Sequence, residues 1–212
     1  MVPALTPAGS ADRDDAAAFA GRVARWDPRS PVRLRRDGAQ LRMWGTTPFD
    51  TLVTRAIAGS VEPADMTVFA GNLLAALAVG TGSRVDPGPV DDLAWRGPLP
   101  PLGGWVTLDR IPADVLAELA RTGVSTARDR PGPAGGASTA LLDSEAMSVS
   151  GAGYSVVLPM RMLFAMSGMA FAPADVDETV RVAATDAWVR LDGRYGSAVR
   201  RRHSLLPLLF SS

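Results

Sequence analysis

The amino-acid sequence predicts an α+β fold: antiparallel β-hairpins and a meander, with three or four short helices packed on the sheet. Apolar residues recur at helical spacing in short stretches. Gly-containing turns separate alternating or β-branched segments at both ends of the chain. With 212 residues, 47% of them hydrophobic and 21% charged, the chain carries enough apolar side chains for one compact domain or two small ones. A continuous parallel sheet is not expected.

From Asp12 to Arg25, the residues Ala16, Phe19, Ala20, Val23 and Ala24 share one helical face. Asp12, Asp14 and Asp15 crowd the start and Arg22 and Arg25 the end, which suits the helix dipole. Trp26-Asp27-Pro28 stops this helix. Val32 to Arg36 and Ala39 to Trp44 then flank Asp37-Gly38, a dipeptide that supplies the positive φ angles of a tight hairpin turn. Thr51 to Ala58 reads as a strand closed by Gly59, and Met66 to Phe69 as a short strand leading into a helix over Gly71 to Val79. Gly80 to Pro101 is a Gly/Pro-punctuated linker. Trp105 to Leu108 is the next strand. Pro112 opens a helix through Leu119 that Gly123 ends. Arg128 to Gly136 reads as flexible. Ala146 to Ser150 and Tyr154 to Leu158 form a hairpin, Pro159 opens a helix to about Ala170, and a three-strand meander runs from Glu178 to Arg202.

Residues 1–10 read as a frayed tail and residues 11–203 as one α+β domain, with halves 11–80 and 102–203 joined by the linker. Residues 204–212 form an apolar C-terminal tail. The two ends share a rhythm of hairpin, strand, short strand and apolar helix, which reads as an internal pseudo-repeat. Gln40 to Leu77, through Leu41-Arg-Met-Trp-Gly-Thr-Thr-Pro-Phe-Asp and Met66-Thr-Val-Phe-Ala-Gly-Asn-Leu-Leu-Ala-Ala-Leu, resembles the strand-strand-strand-helix pattern of DNA sliding-clamp domains. Val180 to Val199 is similar to the strands that close such a unit. The resemblance covers about a third of the chain and implies a fold. Ala140-Leu-Leu-Asp-Ser-Glu, Val157-Leu-Pro-Met-Arg and Leu191-Asp-Gly-Arg-Tyr-Gly resemble features of uncharacterised proteins of high-GC actinobacteria, a likeness that implies no activity.

Composition excludes several chemistries. All 22 basic residues are Arg, so a Schiff-base lysine or a Walker-type phosphate lysine is impossible. The chain has no Cys and one His, which excludes thiol nucleophiles, thiolate zinc and multi-histidine metal sites. No cofactor, metal or catalytic residue is therefore assigned. A net charge of zero removes the electrostatic footprint of a dedicated nucleic-acid binder. The longest apolar run, Met162 to Ala174, is too short to span a bilayer, so no membrane partner is expected and the location is read as cytoplasmic.

Weak motifs resolve into turns. Gly80-Thr-Gly82 and Gly151-Ala-Gly153 lack the third glycine of a dinucleotide fingerprint. His203 follows three arginines and has no nameable carboxylate partner. The acid pairs Asp91/Asp92 and Asp175/Asp177 sit in loops, where such residues cap and turn. Trp44, Trp95, Trp105 and Trp188 are too scattered in sequence for a stacking platform.

Two interaction features stand out. Met160, Met162, Met166 and Met169 interleave with Leu163, Phe164 and Phe171, and flexible thioethers recur on surfaces that accept varied partners. Leu205, Leu206, Leu208, Leu209 and Phe210 end the chain as an apolar segment that must cover a core or dock on a partner. These residues predict a non-catalytic protein-interaction or adaptor module, with a protein partner or self-association. A second reading uses Arg33, Arg35, Arg42, Arg200, Arg201 and Arg202 as a basic stripe on one sheet face, binding nucleic acid or a phosphate ligand. A third is an enzyme with Asp, Glu or His203 as acid or base.

Overall fold

The computed structural model describes residues 2–79, 82–132, 136–174 and 177–202. In chain order the elements are β1 (Ala4–Pro7), α1 (Ser10–Ala24), β2 (Pro31–Asp37), β3 (Gln40–Thr46), β4 (Leu52–Glu62), β5 (Asp65–Phe69) and α2 (Ala70–Val79). After a long connection come β6 (Val106–Pro112), α3 (Ala113–Asp129), α4 (Thr139–Asp143), β7 (Glu145–Gly151), β8 (Tyr154–Pro159) and α5 (Met160–Gly168). The meander β9 (Thr179–Ala184), β10 (Trp188–Gly193) and β11 (Gly196–Arg201) follows.

The fold is α+β with antiparallel pairing throughout, as the turn chemistry predicts. The main sheet runs β5-β2-β3-β4-β11-β10-β9-β6, with β1 attached to the far end of β4, and β7 and β8 form a separate ribbon. Asp37 and Gln40 close the first hairpin around Gly38, which adopts φ +63°. Ala152 and Gly153, both at positive φ, turn β7 into β8. Period-two burial aims Val32, Leu34, Leu41, Met43, Val53 and Ile57 at one face, where the helices cover them.

The helices pack in two pairs, α1 on α2 and α3 on α5. On α1 the residues Ala16, Phe19, Ala20 and Val23 are buried, which is the i, i+3, i+4, i+7 stripe the sequence shows. Four helices, α1, α2, α3 and α5, each follow a short strand, and three of those strands end in proline: Pro7, Pro112 and Pro159. The same strand-to-helix junction is thus used twice in each half of the chain. Proline suits the junction because its fixed φ and missing N–H neither extend a strand nor lose a helical bond.

Four expectations are corrected. The amino terminus is no frayed tail: Ala4–Pro7 pairs with Gly59–Glu62, and Ala4 and Leu5 are buried. Gly59 does not end β4 but lets it pass β1 closely, since a Cβ there would press on the Thr6 carbonyl. Gly123 does not end α3; it lies inside it, where a side chain would strike Met160 and Phe164 of α5. The linker, finally, is a strap held at several points. Val85 exchanges both backbone hydrogen bonds with Leu5 at 2.8 Å. The Asp91 N–H donates to the Thr67 carbonyl at 2.9 Å, and Asp92 Oδ1 accepts from the Thr67 N–H at 2.7 Å.

Candidate functional site

The outer sheet face, opposite the helices, collects arginines and tryptophans. Arg33 and Arg35 of β2 and Arg42 of β3 alternate with the buried residues and point outward. Acids neutralise them. Asp65 accepts from Arg33 at 2.7 Å and from Arg35 at 3.1 Å, and Asp37 accepts from Arg42. The Asp65 hydrogen bond raises the Arg33 guanidinium above its ordinary range, outweighing partial burial.

The predicted stripe does not form from Arg200, Arg201 and Arg202 together, because strand alternation sends neighbours to opposite faces. Arg200 shares the helix side with Ala198, is 8% exposed and donates to Asp50 at 2.9 Å. Arg201 is exposed and stands 6.0 Å from the ring centre of Trp188, its cross-strand partner. Arg202 donates to the carbonyls of Thr185 and Ser155.

The tryptophans, scattered in sequence, converge in space. Trp44, Trp95 and Trp188 pack with Val199 into a second small core on the outer face, with Trp105 at its margin. The strap carries Trp95 into this cluster. Arg190 lies 4.3 Å from the Trp105 ring centre and against Asp192, and burial pushes its pKa down. No local sequence signal announces the cluster, because its members come from β3, the strap and β10.

On the helix side the charge is balanced or acidic. α1 carries Asp12, Asp14 and Asp15 with Arg13 and Arg22; α3 carries Asp114, Glu118 and Asp129 with Arg121 and Arg128; α2 carries no charged residue. On α5, Arg161 is buried and bound to Asp143, Asp50 and the Phe49 carbonyl.

Met160, Met162, Met166 and Met169 are not a docking surface as the chain is folded. All four are buried in the core between α3 and the sheet, where thioethers fill irregular gaps. Leu205, Leu206, Leu208, Leu209, Phe210 and His203 lie outside the described residues, as do Gly80 and Asp175.

An apolar concavity lies beside the methionine helix. A cavity of about 740 Å³ opens between the carboxyl-terminal half of α3 and α5, lined by Phe49, Val124, Ala127, Ala137 and Phe164, with Arg128 on its wall. Phe49 bridges the halves: its ring meets Trp26 at 5.6 Å and Phe164 at 5.7 Å, both edge-on. Phe164 stood in the methionine run, whereas Phe49 and Val124 carried no sequence signal beyond being apolar. Among the described residues, no group of three or more His, Asp or Glu could hold a metal ion, and no helix is long and apolar enough to cross a membrane.

This fold, with helix pairs on one face of a long antiparallel sheet, has counterparts among solved structures. The chain is similar to a sliding clamp from Bacillus subtilis, with TM-score 0.59 and 13% identity over 97% of this chain and 66% of that one. It is also similar to the clamp of Caulobacter crescentus, with TM-score 0.56 and 14% identity over 96% and 66%. A candidate DNA polymerase III beta subunit from Eubacterium rectale gives TM-score 0.62 and 11% identity over 94% and 64%. The chain thus spans just under two thirds of the length of these proteins. No curated protein matches it in sequence.

The chain belongs to the family described as Domain of unknown function (DUF8185), whose model matches residues 100–205, half its length. Residues 1–97 match a second model, Domain of unknown function (DUF8010). The boundary between the two falls within the strap.

Proposed function

We propose that this protein is a clamp-like protein-interaction module that docks a protein partner on its helix side and does not encircle DNA. The observation that carries this reading is the apolar cavity of about 740 Å³ at Phe49, Val124 and Phe164, set in a helix layer without an excess of cations. Open apolar concavities of this size favour ligands that bring apolar side chains. A surface that tracks duplex DNA instead needs a run of uncompensated Lys or Arg. Here the cations of α1 and α3 are matched by acids, and the sheet arginines Arg33, Arg35 and Arg42 are paired.

The test is affinity capture from native lysate with the wild-type chain and with Val124→Glu, a partly exposed position on the cavity wall. The variant is expected to melt like wild type and to lose its partner, while the wild-type complex survives moderate salt. Partners recovered equally well by both chains, or duplex DNA bound with a steep salt dependence, would overturn the proposal.

A further inference from the structure

The seam where the two halves share their sheet holds a second cavity, of about 380 Å³, between the β3–β4 loop, the end of β11 and the strap. Three arginines line it: Arg96 from the strap, and Arg200 and Arg201 from β11. Thr46 adds a hydroxyl. Among the described residues Asp50 is the one carboxylate in the lining, and its charge is already engaged by Arg200 at 2.9 Å and by the buried Arg161 at 3.7 Å. Arg96 and Arg201 have no carboxylate partner among the described residues. The cavity therefore faces an incoming ligand with surplus positive charge.

The site is also built rather than incidental. Arg200 is 8% exposed, fixed by Asp50, and its Nε–H has no acceptor among the described residues, in a setting where an unpaired donor is costly. The buried side of Trp188 and the side chain of Val199 form an apolar floor. The strap segment Arg96-Gly97-Pro98 is the roof, pinned by the neighbouring Trp95 in the tryptophan cluster. Guanidinium forks at the margin of one cavity suit a phosphate group, whose oxygens accept several charge-assisted hydrogen bonds at once. The volume lies at the small end of the range for small-molecule sites, about 300–1,000 Å³.

From this arrangement we infer that the seam cavity binds a small phosphorylated molecule, with Arg96 and Arg201 as the phosphate ligands and Arg200, held by Asp50, as a buried positive charge beside them. This inference is independent of the proposed protein partner, which would dock on the helix side. Calorimetric titration of the full chain at low salt tests it, with inorganic phosphate, ribose 5-phosphate and adenosine monophosphate as probes. At least one probe is expected to bind saturably with a Kd below about 1 mM. Arg96→Ala and Arg201→Ala, both at exposed positions, should each weaken binding about tenfold without altering the melting of the unliganded chain. The tightest probe identifies the source of the phosphate. Three results would overturn the inference: no saturable binding of any probe, unchanged affinity in the double variant, or an oligonucleotide that binds more tightly than every monophosphate.

Discussion

Asp50, at φ +51° in the loop before β4, holds the guanidinium of Arg200 at 2.9 Å, joining positions 150 residues apart. The carboxylate is largely exposed while the guanidinium is buried, so the acid acts as the outer anchor of an inner cation. Arg161 of α5 reaches the same oxygen at 3.7 Å. Loop, strand and helix thus meet at one carboxylate.

Removing that anchor leaves Arg200 buried without its charge partner. Asp50→Ala is expected to cost about 1–2 kcal/mol in denaturant unfolding, less than for a fully buried pair because water reaches the acid. Asp50→Asn keeps an acceptor and a side chain tolerant of positive φ, and should cost less than the alanine variant. Equal stability of all three chains would show that Arg200 is satisfied elsewhere.

Gly123 permits α3 and α5 to approach. A Cβ at this position would stand 2.6 Å from Met160 Sδ and 2.9 Å from Phe164 Cε1. Gly123→Ala improves helix propensity yet overpacks the contact, so a net loss of about 1–3 kcal/mol is expected. Thermal melting reads the sign directly, and stabilisation would mean that the two helices separate easily.

Asp92 guards an edge. Its carboxylate takes the Thr67 N–H of β5, a group that a strand from another molecule could otherwise bond. Asp92→Ala should shift the protein toward dimers or larger species in size-exclusion chromatography, most visibly at high concentration. A variant that stays in the wild-type peak would locate the protection in the rest of the strap.

A chain ending at His203 removes Leu205, Leu206, Leu208, Leu209 and Phe210. Cooperative melting at the wild-type temperature is expected, together with weaker partner capture. Loss of cooperative melting would assign those side chains to the protein's own core.

Local chemistry made most elements legible. The apolar stripe of Ala16, Phe19, Ala20 and Val23, the Asp37-Gly38 turn and the Pro-to-helix junctions at Pro112 and Pro159 all depend on neighbours within a turn or two. What escaped depends on distant partners. Ala4–Pro7 is too short to show a period and becomes a strand only because the far end of β4 awaits it. The same limit hid the tryptophan cluster and the strap, whose anchors pair with residues many positions away. Glycine misled twice, at Gly59 and Gly123, because a missing side chain marks close approach as readily as a chain end. The methionine run was ambiguous for a plainer reason: an apolar helix looks alike whether it faces a partner or its own core.

The central pairing of the sheet, β4 with β11, joins Leu52–Thr54 to Ser197–Val199 and so lies between the two family domains. Either domain alone would carry a bare, apolar strand where the other belongs. Severed between residues 97 and 100, the two pieces should therefore behave as complementary fragments that reassemble when mixed. The hinge between two domain names in the sequence is, in the folded molecule, the middle of a single hydrogen-bonded surface.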